Sequence, residues 1–122
     1  MRDPNDLKVF ERADVFVRDV YRLTVCMPAE EKYGLTSQIR RAAVSIPTNI
    51  VEGCSRRSQA DFARFLEIAY GSAMELEYLL GLSGRIFSIG GVPDAQQEVR
   101  EISKMLNALL GSVRSESGSS PG

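Results

Sequence analysis

Residues 31–53 read EKYGLTSQIRRAAVSIPTNIVEG, and residues 54–78 continue with CSRRSQADFARFLEIAYGSAMELEY. In the first string Leu35, Ile39, Ala42, Ile46 and Ile50 recur at steps of three and four. That period places them on one face of a helix over residues 35–52, with Gly53 as the residue just past its end. Pro47 interrupts the pattern without stopping it. It has no N–H and crowds the carbonyl of Ala43, so the spacing predicts a continuous helix bent around a core. A second reading gives the freed carbonyl and Asn49 to a binding site.

The second string opens another helix. Ser58 followed by Asp61 resembles a capping box, and Phe62, Leu66, Ala69, Ala73, Leu76, Leu80 and Phe87 form a seam over residues 58–88. Phe65, Ile68, Leu79 and Ile86 widen it to one side. Gly71, Gly81 and Gly84 each cost about 0.8–1 kcal/mol of helix stability relative to Ala, and close approach of a neighbouring helix is a sufficient reason for them.

Two flanking segments have the same period. Val9, Ala13, Phe16, Val20, Leu23 and Met27 mark a first helix over residues 6–27, capped at Asn5 or Asp6 and ended before Pro28. Beside this seam Phe10, Val17, Tyr21 and Thr24 form a second stripe, which makes the apolar arc wider than one core needs. Val99, Ile102, Leu106, Leu109 and Val113 give a last helix over residues 94–114, after Gly90, Gly91 and Pro93. Residues 115–122, SESGSSPG, read as a disordered polar tail. The expected fold is all-α, an up-down-up-down four-helix bundle in one domain over residues 1–114.

Composition narrows the function. The chain has 122 residues, 15 Lys and Arg against 16 Asp and Glu, and no His. Without His the commonest general base and transition-metal ligand are missing, and no nucleotide-binding glycine motif or nucleophile elbow occurs. No catalytic residue, metal site or cofactor is expected, so the chain reads as a non-enzyme. Cys26 and Cys54 fall at opposite ends of the bundle, too far apart for a disulfide. With no apolar run long enough for a membrane and no signal-peptide core, the expected location is the cytoplasm.

The arginines are unevenly placed. Over residues 31–64 six cations meet three anions, a local +3 in a chain of net −1. Arg40, Arg41, Arg56, Arg57 and Arg64 are candidate phosphate contacts, because the guanidinium fork donates two hydrogen bonds at once. The plainer reading is a solvated face, or ion pairs with Glu31, Glu52 and Asp61. Val44 and Val51 share the outer face of the second helix with Arg40, Arg41 and Thr48, a mixture that suggests a covered surface. With Phe10, Val17 and Tyr21 they are the candidate oligomer interface.

The strings KYGLTSQIRRAAVSIPTNIVEG, SRRS, DFARFL, IAYGSAMELEY and EISKMLNALLGSV together resemble the bacterial four-helix-bundle family named for intervening sequences in 23S ribosomal RNA genes. The accessory variability proteins of diversity-generating retroelements are related to it. The resemblance runs over residues 7–113. It implies a bundle that assembles as a homopentameric barrel, with RNA or DNA, or a protein such as a reverse transcriptase, as partner. Arg40, Arg41, Arg56 and Arg57 match basic positions of the family, although this chain is acidic overall. Two expectations follow: a nucleic-acid-binding accessory protein that uses the arginine surface, or an interaction module whose arginines form ion pairs between subunits.

Overall fold

Leu7 precedes a run whose apolar residues fall on one side, and that run becomes α1 (Lys8–Thr24). It is followed by α2 (Leu35–Cys54), α3 (Gln59–Phe87) and α4 (Val92–Gly118) in the computed structural model, which describes residues 2–118. Among the described residues there is no strand. Consecutive helices pack side by side, α3 is flanked by α2 and α4, and α1 closes the bundle with a lighter contact on α4.

The core is the set of seams. Phe16 and Val20 of α1, Ile39, Ile46 and Ile50 of α2, Phe62, Leu66, Leu76 and Leu80 of α3, and Val99, Ile102 and Leu106 of α4 are buried. In α4 the face is turned slightly from the expected one. Leu110 is buried and Leu109 only half-buried, because α4 enters the bundle through Val92 and Ala95.

Helix ends depart from the sequence expectation in instructive ways. Asp3 caps a short 3-10 turn, Pro4–Asp6, by accepting from the Asn5 N–H at 2.9 Å, so α1 starts later than expected and ends at Thr24. Glu31 caps α2 from outside, its Oε1 accepting from the Leu35 N–H at 3.0 Å. Ser58 caps α3 as read, accepting from the Asp61 N–H at 3.0 Å. α4 continues past Arg114 to Gly118, and the last four residues of the expected tail lie outside the described region.

Gly53 does not end α2. It lies inside the helix, buried, where a Cβ would stand 3.0 Å from Phe62 Cδ1 and 3.1 Å from Phe65 Cβ, so its role is close packing at the α2–α3 corner. Gly81 and Gly84 similarly admit Gln96 and Val92 of α4. Gly71 has no such neighbour; the space around it is open.

Pro47 sits within a continuous α2 and is buried together with Ala43. The neighbouring carbonyls receive side-chain donors: the Thr48 hydroxyl donates to Val44 O at 2.7 Å, and the Asn49 amide to Ser45 O at 2.8 Å. The Asn49 amide is therefore committed within its own helix.

Candidate functional site

The five arginines singled out above fall into two groups. Arg40 and Arg56 are 16 residues apart on the axis of α2 and the turn after it, a rise of about 24 Å at 1.5 Å per residue. One group is near the start of α2, the other at the corner between α2 and α3.

In the first group Arg40 is an internal strap. Its Nε donates to the Thr24 hydroxyl at 2.8 Å, its Nη2 to Tyr21 O at 3.3 Å, and its guanidinium lies 4.4 Å from the centre of the Tyr21 ring. The Thr24 hydroxyl in turn donates to Val20 O at 2.8 Å. Arg40 thus joins α2 to the end of α1. Arg41, one residue on, lines the groove beside this joint, is exposed, and has no ion-pair or hydrogen-bond partner among the described residues.

At the corner, Arg56 reaches Glu52 at 3.4 Å and lies 4.7 Å from the Phe65 ring centre. Arg64 pairs with Asp61 at 3.8 Å and approaches the same ring at 5.0 Å. Arg2, absent from the sequence-based set, completes the cluster. Its guanidinium is 3.9 Å from the centre of the Phe62 ring, and its backbone N–H donates to Cys54 O at 3.0 Å. Nothing near residue 2 in the sequence announces this contact, which exists because the N-terminal segment crosses the end of α2. Arg57 is exposed and, among the described residues, unpaired. Three guanidiniums on two phenylalanine rings hold the corner together by cation–π attraction, and one remains for solvent.

The candidate interface residues also divide. Phe10 and Val17 are half-buried against the protomer's own core. Tyr21 and Val44 line one surface groove with Arg40, Arg41, Ser45, Thr48 and Asn49, and Val51 continues the same exposed side of α2. Across the α2–α3 seam the Ser45 and Ser72 hydroxyls are hydrogen-bonded at 2.8 Å.

Beyond this seam lies a surface that the sequence reading did not identify as one. Ile68, Gly71, Glu75, Tyr78, Leu82 and Ile86 follow steps of three and four along the outside of α3, with Met74 beside them. Ile68, Met74, Tyr78 and Ile86 are 45–61% exposed. Glu75 is the one charge on that line between Ile68 and Ile86, since Glu77 turns to α4 and pairs with Arg100 at 2.9 Å. The scarcity of charge in residues 68–84 was the available signal.

Cys26 is exposed and Cys54 buried, and both are free. Burial pushes the Cys54 thiol pKa up, and the positive charge of Arg2 partly opposes that shift. Among the described residues no cluster of Cys, Asp and Glu suits a metal ion, and no helix is long and apolar enough to cross a membrane.

Residues 5–108 match the family described as 23S rRNA-intervening sequence protein. The chain belongs to that family. A solved structure of a protein of unknown function, from the S23 ribosomal protein family of Bacteroides thetaiotaomicron, is similar to it. That chain is 28% identical, superposes with a TM-score of 0.77, and is matched over 95% of its length and 84% of this one. No curated protein matches significantly. The matched region takes in Arg40, Arg41, Arg56, Arg57, Arg64 and the whole exposed side of α3, and of the corner cluster only Arg2 lies outside it.

Proposed function

We propose that this protein is a non-enzymatic, self-assembling four-helix-bundle module, with the homopentameric barrel implied by the family resemblance as its assembly. The observation that carries this reading is the outer side of α3, where Ile68, Met74, Tyr78 and Ile86 are exposed around a single charge. Exposed apolar residues are ordinary singly. A line of them over five helical turns, continued on α2 by Val44 and Val51, is what a covered helix face looks like. Replacing Ile68 and Tyr78 together by Asp tests it. The variant is expected to keep its helical circular dichroism and sediment as a protomer. An unchanged mass would refute the assignment of this face.

Nucleic-acid binding is the second reading, and Arg57 favours it. It is unpaired among the described residues and follows Arg56 in the turn just before the N-terminus of α3, where backbone N–H groups favour anions. Carboxylates at Glu52 and Asp61 balance much of that charge in one protomer, so the surface gains from repetition around an assembly. Binding to a structured RNA or duplex DNA should then fall steeply between about 50 and 200 mM salt. No binding at the lower salt by a well-formed assembly would leave the same face to a protein partner, a reverse transcriptase among the candidates.

A further inference from the structure

Arg41 on α2 and Glu75 on α3 line opposite walls of one groove, which has a volume of about 370 Å³. Ser45 and Ser72 join the two walls, their hydroxyls hydrogen-bonded at 2.8 Å, and the Asn49 amide holds the Ser45 hydroxyl in place at 2.9 Å. α2 and α3 run antiparallel, so Arg41, four residues before Ser45, and Glu75, three after Ser72, stand at one level. At 1.5 Å per residue that level is about 5 Å along the helices from the serine contact. Gln38 and Ala42 complete the α2 wall. None of Ile68, Met74, Tyr78 and Ile86 lines the groove, which runs beside the apolar side of α3 and has polar walls of its own.

Both charged side chains are exposed, and neither pairs with the other or with any described residue. A direct bridge between them would gain little at an exposed site, so both stay available to a ligand. Their opposite signs select its chemistry. An anion drawn to Arg41 is repelled by Glu75, and a cation drawn to Glu75 is repelled by Arg41. A molecule with a carboxylate and an ammonium group a few bonds apart satisfies both. Its carboxylate takes two hydrogen bonds from the guanidinium fork, and the serine hydroxyls and the Gln38 amide match a polar body between the two charges. We infer that this groove binds a small polar zwitterion of the free α-amino acid class, with Arg41 on its carboxylate and Glu75 on its ammonium group. Every lining residue belongs to one protomer, so the inference does not rest on self-assembly.

L-glutamine is the probe, titrated into the isotope-labelled full chain and followed by amide NMR. Two blocked forms are run beside it: N-acetyl-L-glutamine, which lacks the ammonium group, and L-glutamine amide, which lacks the carboxylate. Saturation is expected in the millimolar range, as for a small ligand in an open groove, with the amides of Gln38, Ser45 and Ser72 shifting. Each blocked form is expected to bind at least about tenfold more weakly, the loss of one close charge pair. Arg41→Gln should weaken glutamine by a similar factor and no longer separate it from the amide. Glu75→Gln should do the same for the N-acetyl form. Both substitutions are at exposed positions, and circular dichroism checks that the helices are kept. No shift at the solubility limit of glutamine would overturn the site. So would equal binding by the N-acetyl form, which would reduce the effect to attraction of an anion. Parent-like affinity in both variants would overturn it too. A parent that sediments as a protomer and binds glutamine would refute the proposed assembly and leave the site standing.

Discussion

The Arg40 guanidinium donates to the Thr24 hydroxyl at 2.8 Å, and through it the α2 helix is tied to the last turn of α1. A residue that reads in the sequence as half of a free arginine pair is therefore part of a joint. Arg40→Ala should lower unfolding stability by about 1.5–3 kcal/mol, the range for a hydrogen bond to a charged group. Thr24→Val should act on the same interaction, so the double variant should fall short of the sum of the two singles. Urea unfolding of all three measures this, and full additivity would separate the two residues.

Gly53 and Gly71 are both helical glycines, and their environments predict opposite outcomes. At Gly53 a methyl group would press on Phe62 and Phe65, at 3.0 and 3.1 Å. Overpacking at Gly53→Ala should cost about 1–3 kcal/mol, which the roughly 1 kcal/mol gained in helix propensity only partly offsets, leaving a net loss of up to about 2 kcal/mol. Gly71→Ala meets open space and should stabilise the protomer by about 0.5–1 kcal/mol. Thermal melts of dilute samples of the two variants should move in opposite directions.

The contrast shows how far the residues alone could be read. The three-and-four spacing located the four helices because apolar residues at that period have few other uses. Val9 to Val20, Ile39 to Ile50 and Phe62 to Leu80 all face inward as their spacing requires. Spacing could not choose between the adjacent Leu109 and Leu110, since either fits the period, and the choice depended on how α4 enters beside Gly84. The arginines were visible as a composition and not as a geometry. Whether a guanidinium turns to Tyr21, to Phe65 or to solvent depends on which helix passes within reach. The α3 face escaped notice because its residues, taken one at a time, look like a widened core stripe.

The two cysteines differ in access. Cys26 should react with a thiol reagent in seconds, and Cys54 only as fast as the α2–α3 corner opens. Two phases of equal amplitude, the slow one accelerated by sub-denaturing urea, are expected from absorbance traces. A single fast phase would contradict the burial of Cys54.

The raised pKa of the Cys54 thiol has a sign in stability. The folded state keeps the proton at a pH where the unfolded chain has lost it, so the unfolded chain binds fewer protons there and is favoured. Stability should therefore decline as pH rises above the unfolded thiol value of about 8.5. The Cys54→Ala variant should lose that part of the decline, which denaturant midpoints at pH 7 and pH 9.5 would reveal.

Arg57 should matter to nucleic acid and Arg40 should not. Arg57→Ala is expected to weaken RNA or DNA binding several-fold at about 50 mM salt and to lower the salt slope by about one contact. Arg40→Ala should leave both unchanged at matched folded concentration. Equal losses from the two would mean that the turn before α3 is not the binding position.

Self-assembly is the central claim, and the mass of the parent protein in solution tests it most directly. Light scattering behind size exclusion, at several loading concentrations, should give a stable multiple of the 13.5 kDa protomer, fivefold for the proposed barrel. A mass of one protomer at every concentration would contradict the account and leave the exposed side of α3 without its proposed cover.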